Sequence, residues 1–185
     1  MAKLYFRYSP MNSGKSLALL QAAYNYTERG MKVLLLTSAV DVRTGSGVIS
    51  SRLGLSSPAM PISTVADVFA VDLAVQLDDI SAVFVDESQF LSPEVIDKLS
   101  DIVDNYDIPV FCYGLKSDFK SELFPGSKRL LEISDSITEL KSICACGRKA
   151  IINARIGESL EQVVLGGEDQ YVTVCRKCFK ERSKK

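Results

Sequence analysis

The segment Ser9-Pro10-Met11-Asn12-Ser13-Gly14-Lys15-Ser16 follows the apolar stretch Leu4-Tyr5-Phe6 and precedes a long amphipathic segment. A turn in that setting can converge backbone N–H groups on the oxygens of a polyphosphate, while a lysine reaches the β- and γ-phosphates and a hydroxyl joins the shell of a Mg²⁺ ion. Gly14, Lys15 and Ser16 supply those parts, so residues 9–16 read as a P-loop. The full motif has glycine where this chain has Ser9, which lacks glycine's freedom at positive φ.

A second apolar stretch, Ala82-Val83-Phe84-Val85, ends in Asp86-Glu87. P-loop proteins use an acid at such a strand end to reach the Mg²⁺ beside the phosphates, which makes Asp86, with Ser16, the candidate magnesium ligand. Successive side chains at a strand end point in different directions, so Glu87 can serve the reacting group instead. Four of the five cysteines crowd together near the end of the chain as Cys144-Ala145-Cys146 and Cys175-Arg176-Lys177-Cys178. In a reducing cytosol such pairs favour a tetrahedral metal over disulfides, and four thiolates leave a zinc ion no open position for water. They read as a structural Zn²⁺ site. Cys112, alone in an apolar run, reads as a small buried hydrophobe.

Short apolar runs at 4–8, 33–37, 82–85 and 110–113 have the length of strands buried on both faces, as in a parallel sheet. Leu17, Leu20 and Tyr24 recur at helical spacing between the first two, with Gly30 closing the helix. A second helix is expected over about 64–77, and a third runs from Ser92-Pro93-Glu94 to about 105, with Ser92 as cap and Pro93 at the first helical position. The pattern predicts an α/β fold: a P-loop domain with a central, mainly parallel sheet flanked by helices. Residues 41–61, rich in Gly, Pro and Ser, read as a long connection with little regular structure, given a substrate or phosphate role by its nearness to the P-loop. After about residue 140 short turns surround the cysteines, and 151–155 and 171–174 read as hairpin strands. The chain therefore divides into a P-loop domain at 1–140 and a small C-terminal zinc-ribbon or lasso module at 141–185.

With 185 residues and 46% hydrophobic content, the chain can bury one sizeable core and carry a small appended module. No segment has the length to cross a bilayer, and no N-terminal stretch pairs a basic start with a long apolar run, so a soluble cytoplasmic protein is expected. Net charge is −1, with a basic end: residues 140–185 carry ten Lys/Arg against five Asp/Glu. That excess is too small, and too poor in aromatic residues, to favour nucleic-acid binding.

In order along the chain, Pro10-Met11-Asn12-Ser13-Gly14-Lys15-Ser16, Asp41-Val42-Arg43, Asp86-Glu87-Ser88-Gln89-Phe90, the paired cysteines and Leu165-Gly166-Gly167-Glu168-Asp169-Gln170-Tyr171 resemble the thymidine kinases of the zinc-containing cytosolic type. The Cys144/Cys146 pair is one residue shorter than that family's common spacing. The resemblance implies transfer of the ATP γ-phosphate to the 5′-hydroxyl of thymidine in nucleotide salvage, with Glu87 as general base. Lys15 and Mg²⁺, held by Ser16 and Asp86, would gather the spreading charge, with Arg43, oriented by Asp41, near the phosphates. It implies further that residues 9–16, Asp86 and Gln89 contact ATP. Met11, Asp41, Glu87, Gln89, Leu115, Phe119 and Phe124 would surround the nucleoside, and the backbone around Val164, Gly166 and Tyr171 would cover the pyrimidine. A homo-oligomer, usually a tetramer, inhibited by thymidine triphosphate, belongs to the same implication. Two other readings share these residues: a P-loop ATPase using Lys15, Ser16 and Asp86, and a zinc-ribbon nucleic-acid-binding module on a nucleotide-sensing domain, motivated by the basic tail at 177–185.

Overall fold

The computed structural model describes residues 1–40, 47–68, 70, 77–156 and 170–182. Strand β1 (Leu4–Tyr8) leads through the 9–14 turn into helix α1 (Lys15–Thr27) and then β2 (Val33–Ser38). Strands β3 (Val48–Ser50) and β4 (Ser56–Pro58) pair as an antiparallel hairpin, followed by β5 (Met60–Ile62). Then come β6 (Ala82–Asp86), α2 (Pro93–Tyr106), β7 (Val110–Gly114), α3 (Pro125–Ile133) and β8 (Ser136–Glu139). Among the described residues the main sheet has six strands in the order β5-β2-β6-β7-β1-β8, each pairing parallel.

The two faces of this sheet follow the period-two alternation of its strands. Val83, Val85, Val110 and Cys112 join one core with Val95, Ile96, Leu99, Ile102 and Val103 of α2 and Leu130 of α3. Ala82, Phe84, Phe111 and Tyr113 join the other, with Leu19 and Ala23 of α1. Strands β6 and β7 are buried along their whole length, which is why both read as unbroken apolar runs. Tyr5, Phe111 and Phe84 stack in a row across three strands, with ring centroids 4.5 and 4.9 Å apart.

Helix α1 buries Leu19 and Ala23, whereas the spacing had singled out Leu17, Leu20 and Tyr24, the last 58% exposed. Apolar residues lie on several sides of α1, so periodicity left the inward face open and the aromatic row beneath selected it. Gly30 (φ 75°) closes the helix: its N–H and that of Met31 return to the carbonyls of Thr27 and Tyr26 at 2.9 and 3.1 Å. At the head of α2, Ser92 accepts from the Val95 N–H, with Pro93 at the first helical position. Residues 65–68 and 70 are helical and Leu77–Asp79 forms a 3₁₀ turn; the rest of the helix expected at 64–77 lies outside the described residues.

Residues 41–61 carry more order than their Gly, Pro and Ser content suggested. Strands β3, β4 and β5 fall within 47–61 and its edge, and β5 extends the main sheet beside β2; residues 41–46 lie outside the described residues. Helix α3 and edge strand β8, absent from the sequence reading, complete the sheet's far side. Beyond them β9 (Ser142–Ile143) pairs with β10 (Lys149–Ala150), and β11 (Ile152–Arg155) pairs with β12 (Tyr171–Val174) ahead of α4 (Arg176–Arg182). These elements carry a small core of their own, in which Cys144, Ala150, Ala154, Val174 and Cys175 are buried.

Candidate active site

The turn between β1 and α1 takes positive φ at Asn12 (61°) and Gly14 (77°), and Ser9 is not among the described residues with positive φ. The leading glycine is thus dispensable here, and Asn, which tolerates the left-handed region, carries the first reversal. Ser9 and Ser13 share a hydrogen bond between their hydroxyls, and Ser13 donates to the Pro10 carbonyl at 2.6 Å. Lys15, 8% exposed, directs its ammonium along the inside of the turn and donates to the Pro10 carbonyl at 3.0 Å. The open N-terminus of α1 and two left-handed residues together make a concave array of N–H donors suited to an anion.

Across from it, β6 ends at Asp86, 4% exposed. Burial, and then the negative charge of Glu87, push the Asp86 carboxyl up to about 7, against the pull of the Ser16 hydroxyl, the Glu87 N–H and Lys15. A buried acid beside a serine hydroxyl is the donor set a hard divalent cation takes, and such a cation would favour its ionised form. Glu87 has φ 51° and opens the 3₁₀ turn Ser88–Phe90. The fully buried Gln89 donates to a Glu87 carboxylate oxygen at 2.5 Å and accepts the Leu115 N–H at 3.0 Å. Because the Leu115 N–H fixes the amide oxygen, the amide N–H₂ must face Glu87. Gln89 therefore helps to orient the Glu87 carboxylate.

Residues 11–17, Thr37, Asp86, Glu87 and Leu115 line one cavity of about 470 Å³, a volume in the range of small-ligand sites. Met11, Asn12, Ser13, Gly14, Lys15 and Ser16 thus meet both carboxylates there. Ser9, Pro10 and Gln89 lie outside its lining, as do Phe119, Phe124 and Tyr171. Ser9 is buried with its N–H on the Gly114 carbonyl, Phe124 packs edge-on to Phe90, and Arg155 lies 3.9 Å over the Phe119 ring while donating to the Tyr171 hydroxyl. Asp41, Arg43, Val164 and Gly166 lie outside the described residues. Ser50, Ser51, Arg52 and Leu53 of the β3–β4 hairpin also line the cavity. Residue type alone does not single them out, although they lie in the 41–61 connection expected to serve substrate or phosphate.

Cys144, Cys146, Cys175 and Cys178 converge, with all four sulfurs within 4.8 Å of one another and Cys146 to Cys175 at 3.6 Å. Tetrahedral zinc with ligands at about 2.3 Å demands sulfurs about 3.8 Å apart, so the set fits that ion. The short first pair is accommodated by Gly147 (φ 82°), whose N–H returns to the Cys144 carbonyl at 2.8 Å. Backbone N–H groups of Cys146 and Cys175 draw the Cys144 thiol down to about 6, whereas the other three thiols crowded beside Cys178 push it up to about 12; a bound cation would favour the thiolate at all four.

A sequence model of the thymidine kinase family matches residues 2–179 of the chain. The thymidine kinases of Shigella dysenteriae serotype 1 (strain Sd197), Salmonella choleraesuis (strain SC-B67) and Escherichia coli (strain K12) are each 50% identical to it over 188 residues, covering 98% of this chain and 92% of the relative. The 9–16 turn, the paired carboxylates and the four-cysteine cluster all fall within the matched span, and this chain belongs to the thymidine kinase family.

Proposed function

We propose that the protein transfers the γ-phosphoryl group of ATP to the 5′-hydroxyl of thymidine, giving thymidine monophosphate and ADP in nucleotide salvage. The observation that carries this reading is the meeting of Lys15, Ser16, Asp86 and Glu87 around one cavity in a chain of this family. In the proposed reaction Glu87 accepts the proton of the 5′-hydroxyl as its oxygen attacks the γ-phosphorus, and the bond to the leaving ADP breaks. Lys15 and the N–H groups of the turn gather the charge that spreads over the phosphoryl oxygens. Ser16 and Asp86 would hold Mg²⁺, which when bound neutralises phosphate charge. Arg43 and Asp41 remain assigned near the phosphates, and Arg52, on the cavity wall, joins them as a candidate.

Leu115 and Met11 are proposed as walls of the nucleoside pocket, with Phe119 and Phe124 beyond them and Val164, Gly166 and Tyr171 as its cover. The four cysteines would hold a structural Zn²⁺. A boundary near residue 140 is supported by the separate small core of the cysteine-bearing elements. Assembly into a homo-oligomer, a tetramer by family likeness, inhibition by thymidine triphosphate and a cytoplasmic location are part of the same proposal. No helix among the described residues is long and apolar enough to cross a membrane. Neither the ATPase nor the nucleic-acid reading is favoured.

Incubating the protein with Mg²⁺, ATP and a panel of nucleosides tests the reaction. Thymidine monophosphate should be the principal product. Steady ATP hydrolysis without nucleoside, or phosphorylation of purine nucleosides only, would refute the assignment.

A further inference from the structure

Residues of the β11–β12 hairpin alternate between two surroundings. Ile152, Ala154, Val172 and Val174 pack into the small core around Cys144, Cys175 and Cys178. Asn153, directly opposite Thr173 in the pairing, and Arg155, opposite Tyr171, occupy the other set of positions and turn toward the P-loop domain. There Asn153, 5% exposed, accepts the Met11 N–H through Oδ1 at 2.7 Å, and the Thr173 hydroxyl donates to the Met11 carbonyl at 2.9 Å. Both backbone groups of one P-loop residue are therefore held by side chains from a hairpin 142 and 162 positions further along the chain.

We infer that Asn153 and Thr173 are positioning residues for phosphoryl transfer, clamping Met11 so that the turn from Asn12 to Lys15 keeps the shape that receives the triphosphate. Three features of the turn call for such a clamp. Ser9 stands where the full motif has glycine, and the left-handed residues of the turn are Asn12 and Gly14, the first immediately after Met11. Met11 also lines the cavity, so a displacement of its backbone moves the wall and the donor array together. Finally, with its N–H directed to Asn153, Met11 supplies no donor to the anion, and its orientation fixes which amides do. The clamp couples the cysteine-bearing module to nucleotide binding through two neutral hydrogen bonds, apart from any covering of the nucleoside.

The inference rests on residues 9–16 being the phosphate-binding turn, and its test separates the two. Steady-state kinetics with ATP, Mg²⁺ and thymidine are compared for Asn153→Leu and Thr173→Val, which remove the bonds with little change in volume, and for Asn153→Asp and Thr173→Ser, which retain an acceptor and a hydroxyl. Leu and Val at these positions should each raise the KM for ATP and lower kcat/KM for ATP by about tenfold, with a smaller rise, of about threefold to fivefold, in KM for thymidine because Met11 also walls the proposed nucleoside pocket. The double variant should lose little more than either single one, because both bonds hold the same residue. Thr173→Ser should recover most of the lost ATP efficiency, and Asn153→Asp, which restores the acceptor but adds a negative charge near the triphosphate, should recover less. If Asn153→Leu does not fold, Thr173→Val and its serine counterpart decide alone. ATP kinetics unchanged by loss of either bond, with Lys15→Ala still abolishing ATP use, would overturn the clamp and leave the phosphate-binding turn standing. An unaffected Lys15→Ala would instead sink the turn itself, and the clamp with it. Equal losses for ATP and thymidine that follow the thermal midpoint across all variants, the conservative pair included, would reduce these residues to a structural role and overturn the inference.

Discussion

Glu87 holds a left-handed backbone (φ 51°), a conformation that costs a residue with a Cβ about 1 kcal/mol. The cost is offset by what the turn achieves: Asp86 stays buried at the strand end with its carboxylate accepting the Glu87 N–H at 3.0 Å, while Glu87 lines the cavity under the hold of Gln89. Two adjacent acids thus acquire separate surroundings. As the proposed base, Glu87 should be needed for chemistry and not for nucleotide binding. Glu87→Gln is expected to lower kcat by about 100-fold or more with ATP affinity little changed. Single-turnover kinetics beside ATP titration check this, and near-normal turnover would remove Glu87 from the role. Cys112 illustrates the opposite case: burial in the main core pushes its thiol up to about 12, so it stays protonated and is a packing residue, as the sequence reading had it.

At the scale of elements, the Ser88–Phe90 turn is held from below by the start of α3. A Cβ at Gly126 would meet backbone carbonyls of Ser88 and Leu91 at 2.4 and 2.6 Å, contacts that only backbone movement relieves. Gly126→Ala should therefore cost about 2 kcal/mol in urea unfolding and should also depress turnover, since the turn it displaces carries Gln89. Wild-type stability and activity in that variant would break the link between α3 and the carboxylates. Ahead of the helix at 65–68, the Asp67 carboxylate accepts the N–H groups of Ser63 and Thr64, both at 2.7 Å, while Thr64 accepts the Asp67 N–H at 3.2 Å. This is a reciprocal cap. The backbone bonds from Ser63 and Thr64 hold the Asp67 carboxyl below its ordinary value. A depressed folded-state value means stability present above the unfolded value and lost as pH falls through the folded one. The stability gap between wild type and Asp67→Ala should be open at pH 7 and close below about pH 4; a gap constant across that window would contradict the cap.

At the scale of the molecule, one face of the β11–β12 hairpin and the Lys149–Glu139 ion pair join the cysteine-bearing elements to the sheet domain among the described residues, and the other face of that hairpin packs on the cysteines. A metal that binds the thiolates stabilises the small core outright, because the unfolded segment has no preformed site. Cys178→Ser should lose zinc, measured by emission spectroscopy on the purified protein, and should become more susceptible to proteolysis near the hairpin. Full zinc content in that variant would exclude a four-cysteine site.

Much of this was legible in the chain. Strands β6 and β7, buried on both faces, appear where the chain is apolar almost throughout, and β1 and β2, buried in part, appear where apolar runs of strand length are interrupted by Arg7 or end at Thr37. Lys15, Ser16, Asp86 and Glu87 were legible from residue type and position after a strand, and the cysteine pairs from their spacing. Helix α3 and strand β8 were not: α3 is nine residues long, and β8 is an edge strand whose burial is partial, so neither carries a strong period. Nor could periodicity choose Leu19 over Leu20 on α1, a choice made by the stacked rings of Phe84 and Phe111 beneath it. Local pattern fixes which backbone segments can hydrogen-bond with themselves or a neighbour, and so it determined the elements and the chemistry at their ends. Only the tertiary structure could decide that Gln89, its amide oxygen fixed by the Leu115 N–H, turns its N–H₂ to Glu87 while Asn153 and Thr173 close on Met11, because Leu115 and the hairpin lie far along the chain from the residues they fix and meet them only once the sheet is formed.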